Sequence, residues 1–177
     1  MGEALVGTQV IFLALPTPTK NFGEKKGKAY DLSYTENAIR TIVRYYNEHP
    51  MLDNVILVEK STVPIGTAKM ITGIIEAVSI KENISKYIVT SNPEFLAEGT
   101  AVNDLLKPDR VVIGSKPGQN IDNLVNLYSY VDKSKIILTN QFSSELSKLV
   151  ANCFLAQRVS SINSIAILCE EYEADVQ

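Results

Sequence analysis

The sequence predicts an α/β fold: a parallel sheet built from strand and helix in alternation, followed by one long helix. Three observations carry this. Short apolar runs alternate with segments of helical period, the pattern of βαβ units with right-handed crossovers. Polar, proline-containing turns follow three of those runs. From about residue 142 to 172 the alternation stops, and a helical pattern runs on without Pro or Gly.

Each element follows from its local pattern. Residues 9–15 form a nearly continuous apolar run ending at Pro16, which suits a buried parallel strand. A long loop then reaches Asp31, with Pro18, Gly23 and Gly27 in it. Ser33-Tyr-Thr-Glu36 has the capping-box spacing, and Ile39, Ile42, Val43 and Tyr46 follow at helical intervals. His49, ahead of Pro50, reads as a surface loop residue. Residues 55–58 predict a second strand. Residues 67–78 predict a helix with Met70, Ile71, Ile74 and Ile75 on one side. Residues 87–90 predict a third strand and 110–113, ending at Gly114, a fourth. A helix over 121–131 and a short strand over 136–138 complete the α/β part. The last helix, at about 1.5 Å per residue, is about 45 Å long. Its apolar residues, from Leu146 to Leu168, spread around the wheel. A helix apolar on most sides is buried on most sides, which predicts a partner surface. The boundary between the two parts falls at Thr139-Asn140, giving units 1–139 and 140–177.

Composition bounds the function. The chain has 177 residues, 45% hydrophobic and 21% charged, enough for one domain with an appendage. Its net charge is 17 − 20 = −3, with no basic run longer than Lys25-Lys26, so a phosphate-neutralising nucleic-acid binder is not expected. No apolar run is long enough to span a bilayer, and no secretory leader is evident. Two cysteines and one histidine leave almost no ligands for zinc. No metal is expected, and a reducing, cytoplasmic setting is.

In a doubly wound sheet, ligands bind beyond the carboxyl ends of the strands. Three polar loops follow three predicted strands: Leu15-Pro-Thr-Pro-Thr19, Lys60-Ser-Thr-Val-Pro64 and Ser91-Asn-Pro-Glu-Phe-Leu-Ala-Glu-Gly99. With Pro108-Asp-Arg-Val111, Ser143-Ser-Glu-Leu-Ser-Lys-Leu149 and Phe154-Leu-Ala-Gln-Arg-Val-Ser-Ser-Ile-Asn163, they resemble the nucleotide-sugar 6-dehydrogenase family. The likeness is strongest to its animal-like branch, which acts on UDP-glucose. It runs from about Ala4 to the end of the chain.

The resemblance implies the later part of a Rossmann-like NAD-binding domain followed by the family's central helix. No G-x-G-x-x-G turn for the NAD pyrophosphate and no glycine-rich turn with the nucleophilic cysteine occur in these residues, so an internal piece, inactive alone, is expected. The family oxidises the sugar C6 alcohol to a carboxylate in two hydride transfers to NAD, through a cysteine thioester. By resemblance, Leu15, Pro16, Thr17, Pro18 and Thr19, with Ser61, Thr62, Val63 and Glu98, border NAD. Thr62 also helps place the water that attacks the thioester. Glu94 is the general base, and a carboxylate between Pro93 and Phe95 is partly desolvated and so a better one. Glu94, Phe95, Leu96, Ala97 and Glu98 line the substrate. Lys148 and Asn152, one turn apart on the last helix, bind the reacting oxygen and stabilise its developing charge. Cys153 falls on the packing side of that helix and reads as a small buried thiol, as does Cys169. The resemblance also implies a homodimer or larger assembly through the long helix. The alternatives are a relative acting on GDP-mannose or a UDP-amino sugar, and a truncated, non-catalytic assembly module.

Overall fold

The computed structural model describes residues 2–49, 51 and 53–176; Pro50 lies outside them. A five-stranded sheet has the order β1(Val10–Leu13), β2(Val55–Glu59), β3(Tyr87–Ser91), β4(Val111–Gly114), β5(Ile136–Thr139). The helices are α1(Gly2–Leu5), α2(Ser33–Glu48), α3(Thr67–Val78), α4(Lys81–Ile84), α5(Ala101–Leu106), α6(Asp122–Leu127) and α7(Gln141–Glu171). The five strands, α2, α3 and α7 stand where the apolar periods place them. The short α1, α4 and α5 carry too little pattern to be read from sequence.

Strands β2 and β3 are buried at every position, and their side chains alternate between two cores. Val55, Leu57 and Val89 meet Ile39, Val43, Ile71 and Ile75 of α2 and α3 on one face. Ile56, Val58 and Ile88 meet Ile113, Leu124 and Tyr128 on the other. Burying each such Leu, Ile or Val side chain is worth about 1.5–3 kcal/mol, so the central strands carry the fold.

Four expectations are corrected. The sheet is not wholly parallel: β1, β2 and β3 run together, β4 is antiparallel to β3, and β5 is parallel to β4. The helix between β3 and β4, α5, has six residues with none buried, unlike the crossover helices α2 and α3. Strand β1 is not fully buried; it is an edge strand, and Phe12 is 42% exposed. The capping box does not form. Ser33 already lies inside α2, and its backbone N–H donates to Asp31 Oδ1 at 3.0 Å. The helix expected over 121–131 is shorter, Asp122–Leu127, and turns complete the segment. His49 is exposed as expected, stacked on Tyr45 with ring centroids 4.1 Å apart.

Helix α7 is anchored only by its first turns. Asn140 caps it, accepting from the Ser143 N–H at 2.9 Å. Gln141 Nε2 donates to Val89 O at 2.6 Å, and Ser144 Oγ to Ser91 O at 3.1 Å. Gly114 lets the helix start come this close: a Cβ there would stand 2.5 Å from Ser144 Cβ and 2.7 Å from Asn140 O. Beyond Glu145 no residue of α7 is buried, and Phe154, Leu155, Val159, Ile162 and Ile165 face outward.

Candidate active site

Because β1, β2 and β3 are parallel neighbours, the loops after them emerge at one sheet edge. The first two loops are stitched together by hydroxyls. Ser61 Oγ accepts from the Leu15 N–H at 2.8 Å and donates to Leu15 O at 2.6 Å. Thr17 Oγ1 donates to Thr62 O at 2.9 Å. The stitched rim, Leu15–Thr19 with Ser61–Val63, contains no charged residue. It offers hydroxyl and backbone groups to a ligand, and no cation for a phosphate. Val63 is buried behind the rim, Leu15, Thr17, Ser61 and Thr62 are half-buried, and Pro16, Pro18 and Thr19 are exposed.

The third loop rests on a polar cluster. Lys60 Nζ donates to Asn92 Oδ1 at 3.2 Å and to the Tyr128 hydroxyl at 3.4 Å. The Tyr128 hydroxyl in turn donates to Asn92 Oδ1, and Asn92 Nδ2 donates to Val112 O at 2.8 Å. Burial pushes the Lys60 ammonium below its ordinary pKa, and the Glu94 charge pulls it back up. Burial first, then neighbouring Tyr130, pushes Tyr128 up to about 12. A cavity of about 400 Å³ opens here, lined by Lys60, Asn92, Glu94, Phe95, Arg110 and Tyr128 among others. Glu94, Phe95 and Leu96 are half-buried, while Ala97 and Glu98 are exposed.

The long helix joins the site through one aromatic ring. Lys148 Nζ lies 5.5 Å from the centre of Phe95, and Arg110 Cζ lies 4.2 Å from it. Glu145, one turn before Lys148, is 2% exposed and accepts the Gly66 N–H at 2.6 Å and the Ala68 N–H at 2.8 Å. Glu59, also 2% exposed, ends β2 beside it. Burial first, and the Glu145 charge second, push Glu59 up to about 9. Asn152 is exposed. Cys153 is exposed and Cys169 half-exposed, which corrects the expectation of buried thiols: this part of α7 has no facing layer among the described residues.

Residues 1–132 match the model of the UDP-glucose/GDP-mannose dehydrogenase family, NAD binding domain, and residues 142–177 match that family's central domain. The chain belongs to the UDP-glucose/GDP-mannose dehydrogenase family. It is 49% identical to a UDP-glucose 6-dehydrogenase of Caenorhabditis elegans, over 98% of this chain and 36% of that protein. It is 48% identical to the one of Rattus norvegicus, over 99% of this chain and 35% of that protein. Among solved structures, a GDP-mannose dehydrogenase ternary complex from Pseudomonas aeruginosa superposes with a TM-score of 0.86 at 30% identity. A UDP-glucose dehydrogenase from Pyrobaculum islandicum gives 0.83 at 32% identity. Each superposition covers 99% of this chain and 38% of the other. The chain therefore spans about a third of the length of the family members it matches.

For this family member, the fold gathers the three loops and connects Lys148 to the third through Phe95. It leaves Asn152 and Glu98 facing solvent. Sequence reasoning passed over Glu59, Lys60, Asn92, Tyr128 and Glu145. One signal was available: Glu59 ends the otherwise apolar strand Val-Ile-Leu-Val-Glu, where a carboxyl must be buried. The link from Glu145 to α3 spans 77 residues or more and had no local signature.

Proposed function

We propose that this chain forms the later part of the NAD-binding domain, residues 1–139, and the central helix, residues 140–177, of a UDP-glucose 6-dehydrogenase. The observation that carries this is the shared edge. Parallel β1, β2 and β3 send their three loops to one edge, with Thr62 on the second and Glu94 on the third, and Lys148 of α7 lies 5.5 Å from the Phe95 ring of that third loop. Identity of 48–49% to two animal UDP-glucose 6-dehydrogenases favours UDP-glucose as the substrate.

Leu15, Pro16, Thr17, Pro18, Thr19, Ser61, Thr62, Val63 and Glu98 would hold NAD, which accepts hydride from C6. Phe95, Leu96, Ala97 and Glu98 would border the sugar through the third loop. Lys148 and Asn152 would stabilise the negative charge that grows on the reacting oxygen. Thr62, whose hydroxyl is uncommitted among the described residues, would orient the hydrolytic water, and Glu94 would take its proton. Neither Cys153 nor Cys169 would be the thioester nucleophile: both lie on α7, Cys169 in its last turn, and neither follows a glycine-rich turn. Two copies would meet along the outer face of α7, whose exposed apolar side chains need a cover. No helix among the described residues is long and apolar enough to cross a membrane. The free thiols support a cytoplasmic setting.

A chimaera tests the reading: this chain replaces the matching segment of the C. elegans relative. It should reduce two NAD per UDP-glucose oxidised, whereas this chain alone should reduce none. A folded chimaera that binds UDP-glucose but produces no NADH would refute the assignment.

A further inference from the structure

Glu59 and Glu145 are the two fully buried charged side chains among the described residues, each 2% exposed. They meet where the end of β2 faces the first turns of α7, and their partners differ. Glu145 uses both oxygens: Oε2 accepts from Gly66 N at 2.6 Å and Oε1 from Ala68 N at 2.8 Å. Neither Glu59 oxygen meets full hydrogen-bond geometry with a partner, although the Glu145 carboxyl and the Ser91 hydroxyl are close enough to act on it. From β3, Ser91 faces Glu59; the charge that couples to it is Glu145, and no cation of β2, α3 or α7 does. Two carboxylates in a dry seam do not both ionise. The one with two N–H donors keeps the charge, and the other takes the proton.

We propose that Glu145 is a positioning residue: through the Gly66 and Ala68 amides it sets the Thr62 loop against the helix that carries Lys148 and Asn152, with Glu59 as a neutral carboxyl behind it. The connection is short on both sides. Pro64 stiffens the step from Thr62 to Gly66, and Gly66 itself takes a left-handed φ of 93° that glycine adopts freely. Lys148 lies three residues beyond Glu145, on the same side of α7. No other side-chain hydrogen bond among the described residues joins the Thr62 loop to α7. Movement of this one carboxylate therefore changes the spacing between the water-orienting hydroxyl and the oxyanion-binding pair.

This inference rests on the roles read above for Thr62, Lys148 and Asn152, but its first test reads the loop itself and needs no turnover. In the labelled full chain at neutral pH, the Glu145 carboxyl carbon should resonate as ionised and that of Glu59 as protonated. Glu145→Gln should speed amide exchange at Gly66 and Ala68 by about tenfold to a hundredfold, the effect of losing a charge-assisted bond. It should also shift the Thr62 amide resonance. Glu59→Gln, neutral as Glu59 is, should leave these signals in place, and Glu145→Asp should recover part of the protection. In the chimaera, Glu145→Gln should lower kcat with the KM for NAD retained. A protonated Glu145, equal loosening by both Gln variants, or an unchanged kcat would overturn the proposal. A chimaera with no turnover at all would sink the functional reading alone, because the resonance and exchange results still decide the anchoring. If Glu145→Gln does not fold, the carboxyl carbons of the unaltered chain and the Glu59→Gln variant decide it.

Discussion

Replacing Glu59 by Gln should flatten the dependence of stability on pH. Burial and the Glu145 charge raise the folded-state pKa of Glu59 from 4.5 to about 9. Between those values the folded chain keeps a proton that the unfolded chain has released. Stability is then fully present below about pH 4.5 and is lost as pH rises toward 9. Each decade costs about 1.4 kcal/mol, so the step from pH 5 to pH 8 costs about 4 kcal/mol, an upper figure because water entry relaxes buried charge. Asp31 and Asp132, both held low by hydrogen bonds from Ser33 and Ser134, act below this window, and Tyr128 acts above it. Lys60, pushed down by burial, acts in the opposite sense but equally in both proteins, so the comparison removes it. Urea unfolding followed by circular dichroism at pH 5, 6, 7 and 8 measures the effect. The two proteins should have similar stability at pH 5, and the Gln variant should lead by up to about 4 kcal/mol at pH 8. Parallel curves would show that Glu59 is ionised in the fold, and the reasoning about the carboxyl pair would fail.

Four further outcomes are expected. Gly114→Ala should destabilise the chain by about 1–3 kcal/mol, because its Cβ would meet Ser144 Cβ at 2.5 Å with backbone on either side; an unchanged melting temperature would mean that α7 docks elsewhere. In the chimaera, Lys148→Ala should slow hydride transfer on the order of a hundredfold while NAD binding holds, and Glu94→Gln should let a covalent sugar adduct accumulate. Single-turnover absorbance and intact-protein mass read these two effects, and normal rates without adduct would remove both residues from the chemistry. Asp at Ile162 or Ile165, 46% and 49% exposed in one copy, should convert a dimer to monomer in light scattering; a monomer before mutation would show that α7 needs no cover.

Local pattern determined much of this protein. The apolar period placed α3 at Thr67–Val78, and short apolar runs bounded by turn residues placed β2 and β3. The three loops were legible because parallel strands send their carboxyl ends to one edge, whatever the details of packing. Tertiary structure decided what local pattern could not carry. A strand reads the same in either direction, so the reversal of β4 was visible only once it was paired with β3. An apolar run does not say how much of each side chain is covered, so the exposure of Phe12 on β1 appeared only when its neighbours were placed. The same holds for charge. Glu145 reads as one more polar residue on a long helix until the start of α3 is folded against it. Only that long-range contact supplies the two N–H donors that let a carboxylate stay buried and charged.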